Sequence, residues 1–180
     1  MDFLEKDLEN IIWESNNDEL LTRGLRMAGK RFRQVRIGNY GVADLVTIER
    51  SQDIDFTNEI KVTKGKRIVI TVYELKKDKI GISAFLQAVG YVRGIQRYLE
   101  KRDVFPDSLI EYNICLIGRS VDDSGNFAYL PNLFFNDIEN DVSVCFIRRP
   151  MTVKFYKYNY TIDGLFFENI SDYKLIEEGF

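Results

Sequence analysis

Arg67-Ile68-Val69-Ile70-Thr71-Val72-Tyr73-Glu74-Leu75-Lys76-Lys77 is the stretch from which the fold is read. Its β-branched and aromatic residues predict the strongest strand in the chain. Side chains alternate across a strand, so Ile70, Val72, Glu74 and Lys76 share one face. On that face an apolar pair gives way to a carboxylate and an ammonium. Desolvating either charge is costly unless it is paired. An internal Glu–Lys pair, or a strand running out into solvent, would answer that demand locally.

Upstream of this strand, residues 31–37 and 40–49 alternate as two further strands around Gly38-Asn39. Residues 51–66 are polar and suggest a projecting hairpin or loop. An amphipathic helix fits residues 2–14, with Leu4, Leu8, Ile11 and Ile12 at helical spacing and Asp2 with Glu5 resembling a capping box. Downstream, residues 82–101 form a long helix. Phe85, Leu86, Ala88, Val89, Val92, Ile95 and Leu99 share its apolar arc, and Gln87, Tyr91, Gly94 and Tyr98 lie opposite. After Pro106, residues 112–118 read as a buried strand. The last third carries a short helix near 132–137, strands at 142–148 and 152–161, and an acidic tail. The order helix, three strands, helix, strand predicts an α/β fold with a mixed central sheet flanked by helices. No repeat or linker divides the 180 residues, so one domain is expected, with a core over about 1–120 and an extension over 121–180.

Composition narrows the chemistry. The chain has 25 basic and 28 acidic residues, no histidine and two cysteines, Cys115 and Cys145. Without histidine there is no Ser-His-Asp triad and no histidine general base. Two cysteines build neither a four-ligand zinc site nor a disulfide framework, and they read as small core residues on strands. Metal chemistry here must use oxygen ligands, which selects Mg²⁺ or Mn²⁺. No run of 18 apolar residues predicts a membrane span, and the acidic start lacks the positive region of a secretory signal. A cytoplasmic protein with reduced cysteines is expected.

Three features change the weight given to Glu74 and Lys76. Asp44 follows Gly41-Val42-Ala43 within an apolar strand pattern, where a carboxylate needs a partner. Gln87 and Tyr91 stand four apart on one helix face, away from the apolar arc. Glu5 borders the apolar face of the first helix and can point into a cleft, whereas Glu9 is expected nearer solvent.

Asp44, then Glu74-Leu75-Lys76, then Gln87-Ala88-Val89-Gly90-Tyr91 resemble the PD-(D/E)xK nuclease superfamily, in its RecB-like branch with a Q-x-x-x-Y motif. The segment Glu5-Lys6-Asp7-Leu8-Glu9 is similar to the opening of the NucS-type endonuclease catalytic domain. The likeness covers roughly the first hundred residues. Ala43 stands where the superfamily has its proline, and the interval from Asp44 to Glu74 is long. The resemblance implies a restriction-endonuclease-like α-β-β-β-α-β core with extra C-terminal strands. It implies that Asp44, Glu74 and the Leu75 backbone carbonyl bind Mg²⁺ or Mn²⁺, with Glu5 (or Glu9) completing the shell. Lys76 would position water or stabilise charge on the phosphate, and Gln87 and Tyr91 would orient the catalytic groups. The implied activity is hydrolysis of phosphodiester bonds, with DNA as the expected partner.

Basic residues that could line a groove for a phosphate backbone are Arg33, Arg36, Lys77, Lys79, Arg93 and Arg97, although each also reads as solvated surface charge. Tyr156, Tyr158 and Tyr160 fall on one strand face, as a partly buried sheet face or a contact between two copies of the chain would require. The competing reading is a catalytically inactive module of the same fold that binds nucleic acid or a protein partner.

Overall fold

The computed structural model describes residues 3–55, 63–122 and 152–170. In chain order the elements are α1 (Glu5–Glu14), α2 (Asn17–Thr22), β1 (Lys30–Arg36), a 3₁₀ turn (Gly38–Tyr40), β2 (Val42–Asp55) and β3 (Thr63–Leu75). They continue with β4 (Lys79–Ile80), α3 (Ile82–Arg102), β5 (Ser108–Gly118), β6 (Ser120–Val121), β7 (Thr152–Thr161) and β8 (Gly164–Asn169). Six strands make one mixed sheet in the order β1-β2-β3-β5-β7-β8, flanked by helices, and β4 pairs with β6 separately. The quoted stretch lies in β3 as far as Leu75, with Lys76 and Lys77 just beyond its end; β3 is interior to that sheet, antiparallel to β2 and parallel to β5. Its apolar and aromatic residues fill both faces: Ile70 and Val72 pack on the α3 side, Tyr73 and Leu75 on the α1 side.

The polar segment after Ser51 continues β2 and β3 as a hairpin, paired as far as Asp55 opposite Thr63. A parallel β3–β5 pair needs a long crossover, and α3 supplies it. Ten residues are too few for a stable isolated helix, so α1 is held by burial. Its Leu8 and Ile12 are fully buried against Leu45, Leu75 and Ile117, worth about 1.5–3 kcal/mol each. The helix starts at Glu5 rather than Asp2, because Asp7 at its third position accepts the Leu4 N–H.

Besides the 3₁₀ turn and the two-residue strands β4 and β6, α2 and β8 escaped the sequence reading. α2 is six residues long in an Asn/Asp-rich stretch that reads as loop. Its start is nonetheless a capping box, in which Asn16 accepts the Glu19 N–H and Glu19 accepts the Asn16 N–H. β8 lies where an acidic tail was expected; Leu165 and Phe167 alternate inward against α1 and α2. The helix at 132–137, the strand at 142–148, Cys145 and the tail beyond 170 fall outside the described residues. Cys115 is buried on β5, as expected. Among the described residues no helix is long and apolar enough to cross a membrane.

The apolar arc of α3 needs one correction at each edge. Leu86 is 59% exposed, while Tyr91, on the expected polar stripe, is 1% exposed. The reason is a second neighbour: the 3₁₀ turn lies over that side of α3 and brings Tyr40 against the two helical glycines. A Cβ on Gly94 would sit 2.4 Å from Ile37 Cγ2 and 2.7 Å from Tyr40 Cδ2; on Gly90 it would be 3.7 Å from Tyr40. Helix propensity favours alanine at both by about 1 kcal/mol. At Gly94 overpacking of about 1–3 kcal/mol opposes it. Gly94→Ala is therefore expected to destabilise and Gly90→Ala to stabilise. Urea midpoints of the two variants check the opposite signs.

Candidate catalytic site

β2 and β3 bring the two expected acids together. Their register pairs Val46 with Val72 and Leu45 with Tyr73. Continued by one residue, it sets Asp44 across from Glu74 on the face that packs on α3. Asp44 is tied to that place because its Oδ2 accepts the Leu75 N–H at 2.9 Å. The displayed role of Leu75 is thus its amide, holding Asp44. Glu74 is 2% exposed, and its Oε1 accepts from Lys76 Nζ at 2.7 Å. Its other oxygen, Oε2, is buried with no hydrogen-bond partner.

The third acid comes from α1. Glu5 Oε2 accepts the Lys77 N–H at 3.2 Å, and Glu5 Oε1 stands 4.0 Å from Lys76 Nζ. Four residues along the helix, Glu9 proves to be buried rather than near solvent, at 6% exposure. It accepts from Arg33 Nε and from Gln34 Nε2. The sequence could not show this, because a 25-residue separation hides the partners. Glu9 is therefore spent on β1, which leaves Glu5 as the α1 carboxylate facing Lys76.

On α3, Gln87 Nε2 donates to Tyr91 Oη at 2.6 Å, so the i, i+4 pair is joined. Gly41, at φ +115°, lets the chain pass over Tyr91, where a Cβ would lie 3.2 Å from the ring. Tyr91 is both core residue and site neighbour: burial raises its pKa, and the Glu74 and Asp44 charges add to the rise.

Burial is the main electrostatic fact of the site. It pushes Glu74 up to about 7, the Asp44 and Glu5 charges adding while the Lys76 hydrogen bond opposes. It also raises Asp44, against the pull of the Leu75 N–H. Burial works against the Lys76 cation, but the hydrogen bond and charge of Glu74 outweigh it and the net shift is upward. Two carboxylates held above their usual range, one with an orphaned oxygen, are an oxygen donor set short of positive charge.

Among the described residues no three Asp, Glu or Cys side chains stand together as a ready metal cage. A hard cation of the Mg²⁺ type does not require one, since it commonly takes one or two carboxylates and keeps several waters. Asp44 and Glu74 fit that demand. Glu5 meets the site from the side, through Lys76 and Lys77.

Two of the basic residues are bonded within the protein. Arg33 is committed to Glu9 and Asn10. Arg97 donates to Tyr40 Oη, which anchors the 3₁₀ turn. Arg93 lines a hollow with Asp103, Phe105 and Tyr112, on a different side of α3 from Gln87 and Tyr91. Arg36 and Lys79 are exposed and Lys77 half-buried beside the site. Sequence reasoning missed Gln34 altogether, and missed that Tyr158 reaches the Lys77 corner. Tyr158, on β7 and 1% exposed, donates its hydroxyl to the Lys77 carbonyl. Strand alternation put Tyr156, Tyr158 and Tyr160 on one face; Tyr156 and Tyr158 are buried there and Tyr160 is 56% exposed. Nothing local in the sequence marks Gln34.

Comparison with family models, curated proteins and solved structures returns no match for this chain.

Proposed function

We propose that this protein is a metal-dependent nuclease that hydrolyses phosphodiester bonds, with DNA as substrate. The observation that carries the reading is the convergence of Asp44, Glu74, Lys76 and Glu5 on one corner, with Glu74 Oε2 buried and unpartnered. The order α1, β1, β2, β3, α3, β5 supports the restriction-endonuclease-like core that the sequence resemblance implies.

Asp44 and Glu74 would hold Mg²⁺ or Mn²⁺. The ion supplies charge neutralisation at the phosphate and a more acidic bound water. Lys76 sits where negative charge would build on the phosphate and stabilises it electrostatically. Gln87 and Tyr91 keep the α3 side of the site in place. Glu5 fixes the Lys77 amide, and so the position of Lys76 beside it. Exposed Arg36 and Lys79, with Lys77, offer contacts to the nucleic-acid backbone.

Incubation of the purified protein with labelled single-stranded, nicked and branched DNA, and with RNA, under Mg²⁺ or Mn²⁺ tests the proposal. Cleavage of DNA is expected. No cleavage of any of these, together with no Mn²⁺ binding by calorimetry, would leave the inactive binding module as the better reading.

The two kinds of arginine and lysine separate in a second measurement. Arg33→Ala strips a buried carboxylate of a partner and is expected to lower stability on the order of 2 kcal/mol. Lys79→Ala is expected to leave stability unchanged and to reduce the slope of log affinity against log salt by about 1. Thermal melts and salt titrations of DNA binding check both.

A further inference from the structure

Gln34 is a non-glycine residue at φ +50° inside β1. L residues other than Asn and Asp seldom take this left-handed conformation, least of all within a strand. The ladder breaks at the same place: Arg33 pairs with Leu45 and Val35 with Ala43, and the rung that would join Gln34 to Asp44 is missing. Strain of this kind persists only where the surroundings hold it, and it gathers at functional sites.

The kink has a visible effect on side chains. In a regular strand, residues 33 and 34 point to opposite faces. Here both turn to α1. Arg33 Nε donates to Glu9 Oε1 and its terminal nitrogen to Asn10 Oδ1, while Gln34 Nε2 donates to Glu9 Oε2 at 2.7 Å. Both oxygens of a buried carboxylate are therefore gripped by adjacent residues of one strand. Such a grip sets the rotation and axial position of the helix. One turn back on the helix stands Glu5, with its Oε2 on the Lys77 N–H.

We propose that Gln34 is a positioning residue. Its kinked backbone and carboxamide lock Glu9, and through α1 they hold Glu5 at the Lys76–Lys77 corner. This role in catalysis rests on the nuclease reading above; the mechanical link from Gln34 to Lys77 does not.

Two variants test it, Gln34→Asn and Gln34→Gly. Both residues accept the left-handed conformation more readily than glutamine, so the fold is relieved of strain. Neither reaches Glu9. In metal-free protein without DNA, amide hydrogen exchange followed by NMR is expected to speed up at Lys77 by about tenfold, by analogy with the 10–100-fold cost of losing a partner that orients a site residue. The Val72 amide, in the middle of β3, is expected to keep its protection. In the cleavage assay kcat falls by about tenfold and KM for DNA stays within about twofold, the split expected of a lost orienting contact. Unchanged exchange at Lys77, or an equal acceleration at Val72, overturns the proposal. A wild-type protein that cleaves nothing would sink the nuclease reading, while the exchange measurement still judges the link.

Discussion

Asp44→Asn is expected to leave the protein folded and to lower DNA cleavage by at least about 10³-fold, more than the 10²–10³ typical of losing one oriented donor. The substitution is nearly isosteric. An asparagine Oδ1 still accepts the Leu75 N–H that Asp44 Oδ2 accepts at 2.9 Å, so the β2–β3 junction keeps its tie. What disappears is the negative charge, half of the pair that would hold the cation. Because burial raises the Asp44 pKa, the neutral side chain is also easier to accommodate in the metal-free protein. Stability is therefore expected to hold or rise slightly while activity vanishes. Thermal melts and single-turnover cleavage on one preparation give both numbers. Activity within tenfold of wild type in a folded Asp44→Asn protein would remove Asp44 from the site.

The second large effect concerns pH. Glu74 is pushed up to about 7 from an ordinary value of 4.5, chiefly by burial. Below pH 4.5 it is protonated in both folded and unfolded chains and contributes nothing differential. Between 4.5 and about 7 the unfolded chain loses the proton first, so the folded state binds more protons. Stability must then fall as pH rises, and the loss is complete above 7. Its size is on the order of 3 kcal/mol, or about 6–12 °C in Tm for a chain of this length. Raised Asp44 adds in the same direction. In EDTA, the melting temperature is expected to drop between pH 5 and pH 8, and Glu74→Gln is expected to flatten that slope. On the proposed reading Mg²⁺ would bind the ionised pair in the folded state alone, so its stabilisation is expected to be large at pH 8 and small at pH 5. Parallel pH slopes for wild type and Glu74→Gln would refute the assignment.

The same buried carboxylate explains why Glu74 and Lys76 form an internal pair in the metal-free protein. Lys76 Nζ meets one oxygen of Glu74, yet the other oxygen has nothing. A pair built for stability alone would satisfy both, since a buried carboxylate left half-bonded is costly. On the proposed reading, that oxygen is the one left open to a cation.

Much of the architecture was legible because local periodicity carries it. β3, α3 and β5 stand where alternation and helical spacing put them, and the shared face of Val72 and Glu74 follows from the two-residue period alone. So does the tie between Gln87 and Tyr91, which depends only on a spacing of four. The errors fall where a second element intervenes. Tyr91 reads as a polar-stripe residue until the 3₁₀ turn is laid over it. Glu9 reads as solvated until Arg33 and Gln34 arrive from β1. Arg33 and Arg97 show no internal partner in the sequence, yet each is bonded within the protein, to Glu9 and to Tyr40.

By itself the sequence determined which residues alternate, which share a helix face and which chemistries are absent for want of histidine. These are properties of the chain within a few residues, set by backbone geometry. Only the tertiary structure decided that Asp44 and Glu74 face one another, that Glu5 rather than Glu9 meets Lys76, and that Gln34 carries a strained kink. Those facts depend on strand register and helix docking, which are set by packing between segments 25 to 72 residues apart. No local period encodes them.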